Sequence, residues 1–196
     1  MLKTFYLILI SLISITTTAQ NAIIDRVNNY LKSKSAVADE VIYVCIEQQK
    51  IYYIKLDSII KEYIISSSVY GTGSEAESKK TPTGLHNIRQ KHGEKTPING
   101  KMTGRVFHGK IATIYSDETK SKTDDVTSRI LWLEGLEKGK NKGEGVDSFN
   151  RYIYIHGTSE EGSLGEPNSN GCIRMKNKEV IDLYKLVEVG TLVLIL

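Results

Sequence analysis

The stretch that decides both fold and chemistry is YIYIHGTSEEGSLGEPNSNGCIRM, residues 152–175. It begins as an aromatic and β-branched run, which predicts a strand that ends at His156. Glycines and a proline then fill residues 157–171, a composition typical of a loop, and the loop returns to Cys172. A thiol brought beside an imidazole is how a Cys–His nucleophile pair is built. Cys172 is therefore the predicted nucleophile and His156 the predicted general base.

Residues next to Cys172 suit acyl-transfer chemistry. Gly171 lets the backbone approach a substrate closely, and the amides of Gly171 and Cys172 are candidate donors to an oxyanion, often worth about 3 kcal/mol each. Arg174 would share the strand face of Cys172, where it could hold a carboxylate or a backbone carbonyl. Ser169 is interpreted as a hydrogen-bonding turn residue, because the nearby thiol is the better nucleophile.

The second cysteine, Cys45, lies in the apolar run 41–46, which is typical of a buried strand. We predict a reactive Cys172 and an inert Cys45. One alternative is a Cys45–Cys172 disulfide, since exported proteins form such bridges. Another is a zinc site, although the candidate ligands lack the usual spacing. Its ligands would be His156, Cys172 and one of His86, His92 and His108.

The first residues have the pattern of a secretory signal peptide. Lys3 supplies a positive charge, and an apolar run over residues 5–15 follows, with a small-residue cleavage site at Ala19. The apolar run is much shorter than the roughly twenty residues that span a bilayer, which disfavours an uncleaved anchor. We expect an exported protein of the periplasm or cell envelope. The predicted organisation is a signal peptide at 1–19, a short helix and linker at 20–39, and a catalytic domain at 40–196.

Composition indicates one globular domain after export. Removing 19 of the 196 residues leaves 177, enough to bury roughly 70% of the unfolded surface. A net charge of +3, evenly spread, excludes a nucleic-acid-binding footprint.

The periodicity predicts many strands and few helices, so the domain is mainly β. Amphipathic helices are expected over 21–34 and 177–187, the second capped by Asn177. Residues 91–104 are expected to be a loop, and the loop 137–149 is a candidate gate. Strands are expected at 41–47, 50–56, 62–69, 85–89, 111–115, 129–136 and 191–196.

Two separated motifs resemble those of a known family. Residues 154–158 (Tyr-Ile-His-Gly-Thr) and 169–175 (Ser-Asn-Gly-Cys-Ile-Arg-Met) resemble the signature of the L,D-transpeptidases, the YkuD-type catalytic domain. Residues 81–88 resemble its Thr-Pro-x-Gly-x-x-x-Ile segment. The likeness runs from about residue 40 to the C-terminus. It implies a mixed β-sandwich with a few short helices and long loops around a catalytic cleft.

The resemblance also implies roles for individual residues. Cys172 would be the nucleophile, and His156 would accept and return the proton, with its ring oriented by the carbonyl of Gly157. Asn170 stands where the family usually has histidine. An amide side chain cannot titrate, so His156 alone would act as the general base. No metal and no cofactor are expected. The positions matching those that shape the pocket are Ser169, Asn170, Gly171 and Arg174.

The implied activity is peptidoglycan transpeptidation, and hence a part in cell-wall biogenesis and cell shape. The thiol would be acylated by a tetrapeptide stem, and this step would release the terminal D-alanine. An amine would then take the acyl group, forming a 3–3 cross-link or attaching a protein to the wall. Carbapenems are expected to acylate Cys172. The alternatives are an L,D-carboxypeptidase or other hydrolase with the same site, and a non-catalytic wall-binding module.

Overall fold

The computed structural model describes residues 20–196. The expected signal peptide lies outside this range. Residues 20–33 form helix α1, and Asn177–Leu186 form helix α2. A short 3-10 turn, Glu161–Ser163, follows the eighth strand. The strands are β1 Glu40–Cys45, β2 Lys50–Lys55, β3 Ser58–Ser66, β4 Gly84–His92, β5 Gly100–Thr103, β6 Val106–Ile111, β7 Val126–Gly135, β8 Tyr154–Thr158, β9 Ile173–Met175 and β10 Leu192–Ile195.

All ten strands join one mixed sheet in the order β4-β10-β1-β2-β3-β9-β8-β7-β5-β6. The pairs β1–β10 and β8–β9 are parallel, and the other pairs are antiparallel. β4 pairs with β10 through its first residues and with β7 through its later ones, so the sheet closes on itself. This confirms the predicted mainly β, mixed-sheet fold with few helices.

The main core lies inside this closed sheet. Ile42 and Val44 of β1 point into it, while the alternate residues Val41, Tyr43 and Cys45 point outward. α1 covers that outer face. α2 packs against the main core through Val180 and Leu183. β1 is therefore buried on both faces, which explains its continuous apolar sequence.

Two local predictions are wrong. The expected loop 91–104 contains β5, and the expected strand at 111–115 begins where β6 ends. β5 and β6 form a short hairpin with β6 at the sheet edge, exposed along most of its length. An exposed edge strand lacks the apolar alternation that marks a half-buried one.

The expected N-cap role of Asn177 is also wrong, because Lys176 is the cap residue and Asn177 is the first helical residue. The buried Asn177 side chain instead donates to the Thr158 carbonyl at 2.8 Å and accepts from the hydroxyls of Thr127 and Ser128 at 2.7 and 2.6 Å. It joins β7, β8 and α2. Within residues 20–196, neither helix is long and apolar enough to cross a bilayer.

Candidate active site

The parallel pair β8–β9 places the predicted catalytic residues on one surface. Ile155 pairs with Ile173, and both side chains enter the main core. Side chains alternate along a strand, so His156 and Arg174 face the opposite side, with Cys172 immediately before β9 on that side. The strand register therefore brings together residues 16 and 18 positions apart in sequence.

His156 is buried, and a backbone carbonyl holds its ring. Nδ1 lies 2.8 Å from the Gly157 oxygen. A carbonyl can only accept, so Nδ1 carries the proton and Nε2 remains a base. Burial lowers the pKa of His156, partly offset by the Gly157 carbonyl and by Asp124. The ring is thus neutral at pH 7.

The half-buried Cys172 thiol contacts the backbone of β8. Sγ–H donates to the Tyr152 carbonyl, and the Tyr154 amide donates to Sγ, both at 3.4 Å. Among the described residues, no hydrogen bond joins this thiol to His156. Burial raises the pKa of Cys172 to about 11, although the Tyr154 amide opposes the rise. The resting pair is therefore a neutral thiol and a neutral imidazole.

The loop before Cys172 is fixed by its own hydroxyl. Ser169 Oγ donates to the Cys172 carbonyl at 2.6 Å and accepts from the Gly171 amide at 3.2 Å. Thr81 Oγ1 donates to the Gly171 carbonyl at 3.0 Å. Because the Gly171 amide already has a partner, the Cys172 amide is the better candidate for an oxyanion donor.

Gly171 has a left-handed φ of +119°, and a Cβ there would lie 3.4 Å from the carbonyl oxygens of Lys79 and Lys80. Glycine suits this position because other residues rarely adopt that conformation.

Arg174 is held by two carboxylates of the same chain. Its guanidinium lies 2.6 Å from Asp124 and 3.0 Å from Glu160, and only 3% of its side chain is exposed. Asp124 also accepts from Asn170 Nδ2 at 2.9 Å. Arg174 is therefore occupied internally rather than open to a substrate carboxylate.

Asp124 and Glu160 are site residues that the sequence reasoning missed. Glu160 Oε1 accepts from the amide and hydroxyl of Ser121, both at 2.8 Å, which ties residues 112–125 to the loop after β8. Asp124 is 46 positions from Asn170, and no local pattern marks such a long-range pairing. The one sequence feature that could have pointed to an acidic residue in the site was the position of Glu160, four residues after His156.

The two cysteines are both free. Cys45 packs in the cluster under α1, whereas Cys172 packs beside the cluster that contains Trp132 and Tyr154, so the alternative of a Cys45–Cys172 disulfide is wrong. His86, one of the candidate zinc ligands, is buried between the Gly84 carbonyl and the Ser148 hydroxyl, each at 3.0 Å. In residues 20–196, no group of three or more His, Cys, Asp or Glu side chains is arranged to hold a metal ion.

A groove of about 610 Å³ runs beside the thiol. Residues 76–79 form one wall, and residues 143–153 form the other, with Asn170 lining it too. The second wall includes part of the loop 137–149. Arg151 bridges the walls by donating to the carbonyls of Gly73 and Lys80 at 3.2 and 2.7 Å.

Comparison with known proteins identifies the family of this chain. The family model of the YkuD L,D-transpeptidase catalytic domain matches residues 39–195. Two Bacillus subtilis (strain 168) proteins, both provisionally named L,D-transpeptidases, are similar in sequence. YqjB is 58% identical over 111 residues, covering 46% of this chain and 62% of YqjB. YkuD is 54% identical over 41 residues, covering 21% of this chain and 25% of YkuD.

A solved structure is also similar. The ertapenem-acylated catalytic domain of the Enterococcus faecium L,D-transpeptidase is 20% identical, with a TM-score of 0.49 over 82% of this chain and 98% of that one. The chain spans less than two thirds of the two curated relatives named above. Since the family model covers most of the described residues, the chain belongs to the L,D-transpeptidase family through a YkuD-type catalytic domain.

Proposed function

We propose that the protein is an exported peptidoglycan L,D-transpeptidase that uses Cys172 as its nucleophile. The observation that carries this proposal is the shared face of β8 and β9, on which the Cys172 thiol and a His156 ring with a free Nε2 lie together. The donor would be a stem tetrapeptide. The acceptor would be an amine of a second stem or of a wall-attached protein.

In the first step the thiol turns from the Tyr152 carbonyl to His156, and Nε2 takes its proton as sulfur attacks the carbonyl carbon before the terminal D-alanine. The carbonyl oxygen becomes an oxyanion, which the Cys172 amide is placed to stabilise. The C–N bond then breaks. The departing amine takes the proton from Nε2, leaving a thioester on Cys172.

In the second step the acceptor amine attacks the thioester and gives a proton to Nε2. The C–S bond breaks, the new amide leaves, and the sulfur recovers the proton. Because the resting thiol and imidazole are both neutral, the thiolate forms only during attack. The activity should therefore depend on His156 more strongly than the activity of an enzyme in which the thiolate–imidazolium pair is already formed.

The groove beside Cys172 is the proposed path for one stem peptide. Its wall includes Tyr152, whose carbonyl accepts from the thiol, so a peptide in the groove would lie next to Cys172. Exclusion of water from the thioester decides between transfer and hydrolysis. The wall formed by residues 143–153 is the element we expect to control it.

Intact mass spectrometry of the purified protein with a carbapenem tests the nucleophile. We expect one adduct on the wild type and on Cys45→Ala, the matched control that removes the other cysteine, and none on Cys172→Ala. A stem tetrapeptide, with and without an acceptor amine, tests the reaction. His156→Ala should lower kcat/KM for D-alanine release about 10²–10⁴-fold.

The products of these assays distinguish a transpeptidase from the two alternatives. D-Alanine release that gives only the tripeptide acid, even with an acceptor amine, would replace transfer by L,D-carboxypeptidase activity. A wild-type protein that forms no adduct and releases no D-alanine would contradict the proposal and favour a wall-binding module.

A further inference from the structure

A second positive group lies over the aromatic cluster beside Cys172, which comprises Trp132, Phe149, Tyr152 and Tyr154. The guanidinium carbon of Arg105 is 4.5 Å from the centre of the Trp132 ring and 5.8 Å from that of Tyr152. Its Nη1 donates to the Tyr154 hydroxyl at 3.2 Å. Stacking on aromatic faces holds a guanidinium in place while its other N–H groups stay available.

The same cluster holds the thiol. Cys172 packs against it, and the residues that hydrogen-bond to Sγ are Tyr152 and Tyr154, the two tyrosines that contact Arg105. The thiol contacts the backbone of Tyr152 and Tyr154, and Arg105 contacts the side chains of the same two residues.

The backbone at Arg105 is strained. Gly104 and Arg105 form the two-residue turn between β5 and β6, with φ of +57° and +69°. Such a turn favours glycine or asparagine. Arginine, like most residues with a side chain, rarely adopts this left-handed conformation. Tyr152, whose ring faces the guanidinium, also has a positive φ of +57°. The hairpin turn requires a positive φ at both of its residues, so it fixes the backbone from which the Arg105 side chain reaches the aromatic cluster.

Charge distinguishes Arg105 from the other arginines around the thiol. Arg174 is neutralised by Asp124 and Glu160, and Arg151 donates to carbonyls inside the groove wall. Across residues 20–196, the ion pairs do not include Arg105. Its side chain is partly exposed. It therefore has both the charge and the free donors to take a carboxylate from outside the chain.

We propose that Arg105 binds the terminal carboxylate of the acyl donor and so selects stems that end in a free D-amino acid. This inference rests on the proposed function, in which the leaving residue carries that carboxylate a few bonds from the scissile carbonyl. The β5–β6 hairpin then acts as a specificity element, and Arg174 supports the site without contacting the substrate.

Paired donor peptides test the selection. The purified protein is assayed with a stem tetrapeptide ending in D-alanine and with its D-alaninamide counterpart. We expect the wild type to favour the acid by about tenfold or more in kcat/KM, as a charge-assisted hydrogen bond allows. Arg105→Gln should lower kcat/KM for the acid about 10–100-fold and change that for the amide less than about threefold.

Two further variants keep the outcome interpretable. Arg105→Gly removes the guanidinium where the backbone suits glycine, so its loss of selectivity should come with only a small loss of thermal stability, from the contacts with Trp132 and Tyr154. Arg89→Gln is the matched control, because it removes an exposed arginine on β4, and it should keep the preference for the acid. Equal losses for acid and amide in Arg105→Gln would overturn the proposal, since that pattern belongs to a structural role.

An independent probe separates this proposal from the proposed function. Alkylation of Cys172 by iodoacetate and by iodoacetamide differs only in the charge of the reagent, and the ratio of the two rates cancels changes in thiolate fraction. Arg105→Gln should lower the iodoacetate-to-iodoacetamide ratio about threefold or more, and Arg89→Gln should not.

A lowered ratio in Arg105→Gln, together with a wild type that releases no D-alanine from either peptide, would support the carboxylate site and contradict the transpeptidase proposal. An unchanged ratio with normal peptide turnover would overturn the carboxylate site alone.

Discussion

Asp124 is the residue whose placement most changes the expected chemistry of the site. It contacts Arg174 and Asn170, and its charge also reaches His156 and Cys172. Burial disfavours its ionised form, but Arg174 and Asn170 outweigh that cost and lower the pKa of Asp124. Asn170 thus connects the nucleophile loop to a carboxylate, whereas the sequence reasoning treated it only as the loss of a titratable group.

We predict that Asp124→Asn lowers the pKa of the Cys172 thiol. The Asp124 charge raises that pKa and the Arg174 charge lowers it, so removing the carboxylate leaves the thiolate facing a less neutralised guanidinium. The pH dependence of Cys172 alkylation by iodoacetamide measures the shift.

The matched control is Asp125→Asn, the next residue in the chain, whose carboxylate pairs with Lys101 at 2.6 Å instead. It should leave the alkylation profile in place. A profile for Asp124→Asn that moves to higher pH would contradict the electrostatic assignment.

At the scale of elements, α1 packs on the sheet, and its Tyr30 hydroxyl also contacts Glu137 and Lys140 at the start of the loop 137–149, both at 2.8 Å. Its apolar face, centred on Val27 and Leu31, packs on the outward residues of β1 and β2, including Tyr43 and Tyr52. The strands β8 and β9, which carry the candidate site, lie elsewhere in the sheet order. We therefore expect α1 to contribute mainly to stability.

We predict that Leu31→Ala lowers the free energy of unfolding by about 2–4 kcal/mol, because it removes a buried side chain and leaves a cavity. Urea denaturation measures the loss. Lys32→Ala, an exposed neighbour on the same helix, should change stability by less than about 0.5 kcal/mol. In the absence of urea, the alkylation rate of Cys172 should be unchanged in Leu31→Ala, and a large change would show that α1 does support the site.

At the scale of the whole molecule, buried histidines make the fold sensitive to acid. Burial lowers the pKa of His86 to about 4 and also lowers that of His156. Between about pH 6.5 and pH 4 the unfolded chain binds a proton at His86 that the folded chain does not. The folded state therefore loses stability as the pH falls through this window.

We predict a loss of about 3 kcal/mol from His86 alone between pH 7 and pH 4, from the size of the pKa shift. Urea denaturation across this range measures it. His86→Gln can still hydrogen-bond to Ser148 but cannot titrate, so its stability should depend less steeply on pH. An equal dependence in wild type and variant would assign the acid sensitivity to other groups.

The local sequence predicted the parts of this protein that depend on near neighbours. The apolar run of β1 and the helix α2 were predicted correctly, because burial leaves a periodic pattern in the sequence, and loop composition predicted that Cys172 returns towards His156. The sequence predicted a strand that ends at His156 and a loop that returns to Cys172, but it did not predict the short strand β9 that pairs with β8.

Only the tertiary structure decided what surrounds that pair. Asp124 reaches Arg174 across 50 positions, and Arg105 reaches Tyr154 across 49. A charged side chain that finds a partner through the fold looks the same in sequence as one that faces water. The sequence therefore determined which residues we propose as nucleophile and base, and the closed sheet determined which arginine is paired with carboxylates and which keeps free donors.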